Sequence, residues 1–245
     1  GLAVVGAAMG FRCVIVSPET QSQEKKDALR MLGSEPVEVP AVPYRDPNNY
    51  VKYAGRLAEA LAASEPNGAV WANQFDNVAN RQAHVETTAP EIWEQTGGEF
   101  DVFVSGMGTG GTLSGCGRYF KERKPGIKIV GVDPIGSLYY EYVKTGRLTK
   151  PFSYYVEGIG EDFLPPISDF TRVTKAYAIA DKESFLTARE LLSKEGILGG
   201  SSTGTLVAAA LKYCKEQVEP KRVVVFVCDT GNKYLSKMYN DYWML

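Results

Sequence analysis

Residues 105–112 read Ser-Gly-Met-Gly-Thr-Gly-Gly-Thr, and the chain on either side decides what they mean. Ahead of them Val102-Phe-Val-Ser105 is a short apolar run of strand length. Behind them Leu113, Cys116 and Phe120 recur at helical spacing up to Arg123, and Ile127–Val132 is apolar again. Strand, glycine loop, helix and strand in that order make a βαβ unit. The glycines let the backbone approach a ligand closely and turn successive N–H groups inward. The helix start adds positive potential, and Thr109 and Thr112 bring hydroxyl donors. Together these parts form a phosphate cradle. Four glycines within residues 106–111 are more than a bare strand-to-helix turn requires.

The same alternation continues in both directions. Upstream, Phe11–Val16 reads as a strand and Gln21–Leu32 as a helix stopped by Gly33. Val37–Val39 is a short strand, Asp46-Pro-Asn-Asn49 opens a helix to about Ser64, and Ala69–Trp71 is strand-like. Residues 79–96 read as helix, ended by Gly97-Gly98. Downstream come a loop-rich stretch (134–171), a strand (173–179) and a helix (182–195). A second glycine-rich loop (199–204), a helix (205–216), a strand at Val223–Cys228 and a helix from about Asn232 complete the chain. The expected class is α/β with mainly parallel sheets. The polar stretch Asn73–Asn80 is the expected boundary between a smaller subdomain (1–76) and a larger one (77–245) that carries the phosphate loop.

Composition excludes several classes. The 245 residues are 44% hydrophobic and 23% charged with net charge −2, an ordinary globular balance. No basic surface is available to track a nucleic-acid backbone. No stretch approaches the roughly 18 apolar residues of a membrane span. Cys13, Cys116, Cys214 and Cys228 lie far apart. Cys13 and Cys228 stand inside apolar runs, so buried reduced thiols and a cytoplasmic compartment are expected. The single histidine, His84, excludes a His-rich or Cys/His metal centre, and no metal is expected.

Which phosphate compound the loop holds is open on these residues. Gly106-x-Gly108-x-x-Gly111 matches the dinucleotide fingerprint, and Asp133 stands about 20 residues on, where that motif asks for an acid. A nicotinamide-dependent oxidoreductase is therefore a rival. The threonines suit a compact phosphate monoester better. Gly199-Gly-Ser-Ser-Thr-Gly204, at another helix start, offers a hydroxyl to a cofactor heteroatom or simply caps the helix through Ser202 or Thr203.

Longer motifs carry a resemblance. Gly108-Thr-Gly-Gly-Thr112 resembles the phosphate loop of the pyridoxal-phosphate enzymes of tryptophan-synthase-β type (fold type II). Asn73-Gln-Phe-Asp-Asn77, Ala79-Asn80, His84 and Thr87-Thr-Ala-Pro-Glu-Ile-Trp93 are similar to a segment shared by cysteine synthases and cystathionine β-synthases. Glu195-Gly-Ile-Leu-Gly-Gly-Ser-Ser-Thr-Gly204 is similar to a later loop of the same family. Val156-Glu-Gly-Ile-Gly-Glu-Asp-Phe163 and the ending Asp229-Thr-Gly-Asn-Lys-Tyr-Leu…Asp241-Tyr-Trp-Met244 resemble the cystathionine β-synthase branch.

The resemblance implies two mainly parallel-sheet subdomains with pyridoxal 5'-phosphate in the cleft between them, and a homodimer. It implies small amino-acid substrates: L-serine condensed with homocysteine to cystathionine or, in the sister branch, O-acetylserine with sulfide. Gly108, Thr109, Gly110, Gly111 and Thr112 would hold the cofactor phosphate. Ser202 would face the pyridine nitrogen, where a hydroxyl weakens the electron sink relative to a carboxylate. Gln74 would bind the substrate carboxylate, and Glu157 with Gly158 would meet the second substrate. His84 is expected to be structural.

One departure matters. The family's Schiff-base lysine precedes a T-S-G-N-T loop, and neither the lysine motif nor the loop occurs in these residues. Gly1–Gly10 has no initiating methionine and no basic lead and reads as mid-helix, so the lysine is expected upstream of Gly1. That leaves no identifiable catalytic residue here, and this chain alone is expected to be inactive. A non-catalytic paralogue is the third reading.

Overall fold

The computed structural model describes residues 1–245, which separate into two units: Gly1–Asn73 with Asn232–Leu245, and Gln74–Gly231. The boundary expected from the sequence, at 76/77, puts the last residues in the larger unit. Contacts assign them to the smaller one, through Ser236 Oγ donating to Glu24 (2.9 Å) and Lys237 Nζ donating to the Thr20 carbonyl (2.8 Å).

In the smaller unit the apolar run after Cys13 forms strand β1 (Val14–Pro18), which pairs in parallel with β2 (Glu35–Val39). Three helices accompany them: α1 (Leu2–Ala8), α2 (Gln23–Met31) and α3 (Tyr50–Ser64). Asn49 accepts the Val51 N–H (3.0 Å) and caps α3, as the Asp-Pro-Asn-Asn signal implies. Ala69–Trp71 is not a strand. The sheet here has two strands only, and with no ladder partner the β-branched Val70 stays exposed. Trp71 instead packs on α3, where a Cβ at Gly55 would lie 3.1 Å from the indole. The expected C-terminal helix from Asn232 is reduced to a 3-10 turn (Gly231–Tyr234) and a short helix after Asn240.

The larger unit begins with a helical stretch in three parts: α4 (Ala79–Ala83), a π-helical turn (His84–Thr88) and α5 (Ala89–Thr96). Then follow β3 (Val102–Gly106), α6 (Gly111–Arg123), β4 (Lys128–Pro134), α7 (Tyr139–Thr145), β5 (Lys175–Ile179), α8 (Asp181–Glu195), α9 (Ser201–Lys215) and β6 (Val223–Val225). The four strands form one parallel sheet in the order β5-β4-β3-β6. Val102, Phe103 and Val104 of β3 are wholly buried, as a central parallel strand covered by helices requires. Phe100, Phe103 and Phe120 pack edge to face, with centroids 5.0–5.1 Å apart, and tie α6 to the sheet. No helix is long and apolar enough to cross a membrane.

All four cysteines are free. Cys116, on α6, is the buried one, and burial pushes its thiol up to about 12. Cys13 is half-buried and Cys228 exposed, against expectation. Each stands just outside its strand, Cys13 ahead of β1 and Cys228 beyond the end of β6, so neither apolar run encloses it.

Candidate functional site

Three carbonyls of the loop between β3 and α6 are claimed by the protein. The Met107 carbonyl accepts the Gly160 N–H (2.7 Å), the Gly108 carbonyl accepts the Tyr139 hydroxyl (2.8 Å), and the Gly110 carbonyl accepts the Ser114 N–H (2.9 Å). A trans peptide points its C=O and N–H in opposite directions, so each clamped carbonyl aims the next N–H away from the clamp. The N–H groups of Gly108, Thr109, Gly110 and Thr112 have no protein acceptor, whereas that of Gly111 is 3.3 Å from Thr109 Oγ1. Gly110 is left-handed (φ +83°) and half-turns the loop into the helix. This is an anion nest at a helix N-terminus.

The two loop threonines are held from behind. Asn80 Nδ2 donates to Thr109 Oγ1 (3.0 Å) and to the Gln74 carbonyl (2.8 Å). His84 sets Nε2 3.1 Å from Thr112 Oγ1 and Nδ1 2.9 Å from Thr88 Oγ1. Asn80 and His84 are four residues apart, so they share one helix face. Burial holds the His84 pKa below its ordinary value, so the ring is neutral and carries one proton. With that proton on Nε2 it donates to Thr112, and the threonine O–H is left to donate outward. Thr109, already accepting from Asn80, does the same. Unclaimed N–H groups and outward-donating hydroxyls fit a phosphate monoester dianion. His84 thus reaches the loop directly, beyond the helix packing expected of it. Its π-helical turn is the kind of local insertion that often marks a working site.

Two further segments converge on the loop. A Cβ at Gly108 would lie 3.3 Å from the Gly158 carbonyl, and one at Gly106 would lie 2.5 Å from Ile159. Gly158 itself is left-handed (φ +92°), with Ser202 Oγ 4.0 Å from where its Cβ would be. The Glu157 N–H donates to Ser201 Oγ (3.0 Å). Glycine loop, residues 157–159 and the start of α9 therefore form one cluster. Ser202 lies inside the first turn of α9, 4% exposed, and the helix is N-capped by Gly200, so Ser202 and Thr203 are not the cap. Thr203 Oγ1 instead accepts the Cys228 N–H (3.0 Å). Gln74 is exposed, with its carbonyl joined to the cluster through Asn80.

Asp133 does not serve a ribose. It is fully buried at the end of β4, and its Oδ2 accepts the Tyr140 N–H (2.8 Å) at the start of α7. The fingerprint reading loses its acid to a helix cap, inside a stretch expected to be loop. Burial pushes this carboxyl up to about 7, against hydrogen bonds from the Ser137 side chain and the Tyr140 and Tyr139 backbone. Unfolded, it would ionise near the ordinary aspartate value of 3.8; folded, it stays neutral to about 7. Its contribution to stability is complete below the unfolded pKa and is lost as pH rises through the folded one. Relative to Asp133→Asn, the wild type is expected to lose stability between roughly pH 4 and pH 8, read from urea unfolding at each pH. A difference that stays constant over that range would contradict this reading.

Comparison with known proteins places the chain in a family. The family model described as "Pyridoxal-phosphate dependent enzyme" matches residues 1–229. Cystathionine beta-synthase of Oryctolagus cuniculus is 43% identical across the whole chain, which spans 44% of that protein. Cysteine synthase 1 of Neurospora crassa is 39% identical across the whole chain, spanning 65% of that relative. Cysteine synthase A of Salmonella typhi is 40% identical over 96% of the chain and 72% of its own length. The chain thus spans under half of the cystathionine beta-synthase it matches and about two thirds or more of the two cysteine synthases. With a match over nearly its full length, the chain belongs to the pyridoxal-phosphate dependent enzyme family, in the group that holds the cystathionine beta-synthases and cysteine synthases.

Proposed function

We propose that this chain is the core of a pyridoxal-phosphate lyase that replaces the β-substituent of L-serine with homocysteine to give cystathionine. The observation that carries the cofactor is the nest of unclaimed N–H groups at Gly108, Thr109, Gly110 and Thr112. In this reading residues 108–112 hold the phosphate and Ser202 meets the pyridine nitrogen as a neutral partner. Gln74 binds the substrate carboxylate, and Glu157 with Gly158 receives the amino group of the thiol substrate. The bound cofactor supplies an electron sink for the substrate α-carbon. The reading places the lysine that anchors the cofactor ahead of Gly1, takes the protein as a cytoplasmic homodimer, and requires its tests on the full-length protein.

The choice of homocysteine rests on Glu157 within Val156–Phe163, and cysteine synthase is the alternative. Supplied with L-serine and homocysteine, then separately with O-acetylserine and sulfide, the full-length protein is expected to form cystathionine faster, read by mass spectrometry. Glu157→Gln is expected to slow homocysteine use about tenfold, the loss of one charge-assisted contact. Faster cysteine formation, or homocysteine use untouched by Glu157→Gln, would move the chain to the sister activity.

A further inference from the structure

Tyr139 opens α7, a helix that the family motifs do not include, yet its hydroxyl reaches the glycine loop. The ring is wholly buried, 5.2 Å centroid to centroid from Phe170, so it has no freedom to swing. Its O–H donates to the Gly108 carbonyl at 2.8 Å. That carbonyl belongs to the same trans peptide as the Thr109 N–H, so a donor on one side fixes the direction of the donor on the other. A glycine peptide without such a clamp rotates cheaply, because Gly108 has no Cβ to restrict it.

The backbone of Tyr139 is itself seated. Asp133, at the end of β4, takes the Tyr140 N–H at 2.8 Å and so fixes where α7 begins. α7 has no other side-chain N-cap, since its N-cap position is Leu138. The line runs from Asp133 through the first turn of α7 and the Tyr139 ring to the loop carbonyl.

The geometry points to Tyr139, seated by Asp133, as a positioning residue of the phosphate nest: its hydroxyl turns the Gly108–Thr109 peptide so that the Thr109 N–H faces the anion. The inference rests on the cofactor reading above and adds a residue to it. Tyr139→Phe keeps the ring and removes only the donor, so the core stays filled while the peptide is released.

The test compares pyridoxal 5'-phosphate with pyridoxal on full-length protein freed of cofactor. Wild type is expected to bind the phosphate form far more tightly. Tyr139→Phe is expected to reduce that preference about tenfold, the loss of one aimed charge-assisted hydrogen bond, while pyridoxal affinity is unchanged. At saturating cofactor its phosphorus NMR resonance is expected to move. Tyr142→Phe, whose ring also meets Phe170, is the control and is expected to change neither readout. Equal loss for both ligands would mean general loosening and overturn the inference, as would an unchanged preference. A wild type with no preference for the phosphate form would instead bring down the cofactor reading itself.

Discussion

Gly204→Ala is expected to destabilise the protein by about 3 kcal/mol, among the largest effects of any single methyl group added to it. Gly204 lies in the first turn of α9 where that helix crosses α8, and a Cβ there would run into the Ser184 carbonyl oxygen and crowd Ala188. Neither neighbour is the loose end of a long side chain. The Ser184 carbonyl is helix backbone, and the Thr205 hydroxyl bonds Ser184 Oγ at 2.9 Å across the same contact. Relief requires the two helices to separate, and α9 carries Ser202 and the Ser201 hydroxyl that holds Glu157. The melting temperature is expected to fall by roughly 10 °C. A change of a degree or two would show that the α8–α9 contact is looser than described.

Gly111→Ala acts on binding rather than on folding. Its Cβ would fall on the amide of Asn80. That amide is pinned by the Gln74 carbonyl and Thr109 Oγ1, so making room costs both hydrogen bonds. It also frees the Thr109 hydroxyl to turn inward. Affinity of cofactor-free, full-length protein for pyridoxal 5'-phosphate is expected to fall about a hundredfold, two hydrogen bonds' worth, with a smaller loss of stability than Gly204→Ala causes. Affinity retained at the wild-type level would mean that Asn80 and Thr109 do not build the nest.

The sequence disclosed β3, the glycine loop, α6 and β4 because local signals agree there. Apolar runs, glycine punctuation and helical spacing all name the same elements. Where tertiary contacts decide, local reading stops short. Ser201–Thr205 has the composition of a loop, yet all five residues are buried and helical because α9 packs on α8. Ala69–Trp71 has strand composition but no neighbouring strand to pair with. α7 is short and tyrosine-rich, without apolar periodicity, and its cap stands on a different element, so nothing adjacent announces it. The position of the glycine loop between β3 and α6 is legible from glycine spacing. The groups that aim it (Asn80, His84, Tyr139) act through side chains from other elements. Only the four-residue spacing of Asn80 and His84 hinted at a shared face.

The visible absorption spectrum of the full-length protein tests the central claim most directly. A protein built as described carries a cofactor band that L-serine shifts and homocysteine then restores, with cystathionine formed in step. A colourless protein that stays colourless with added pyridoxal 5'-phosphate, its upstream lysine verified, would contradict the account.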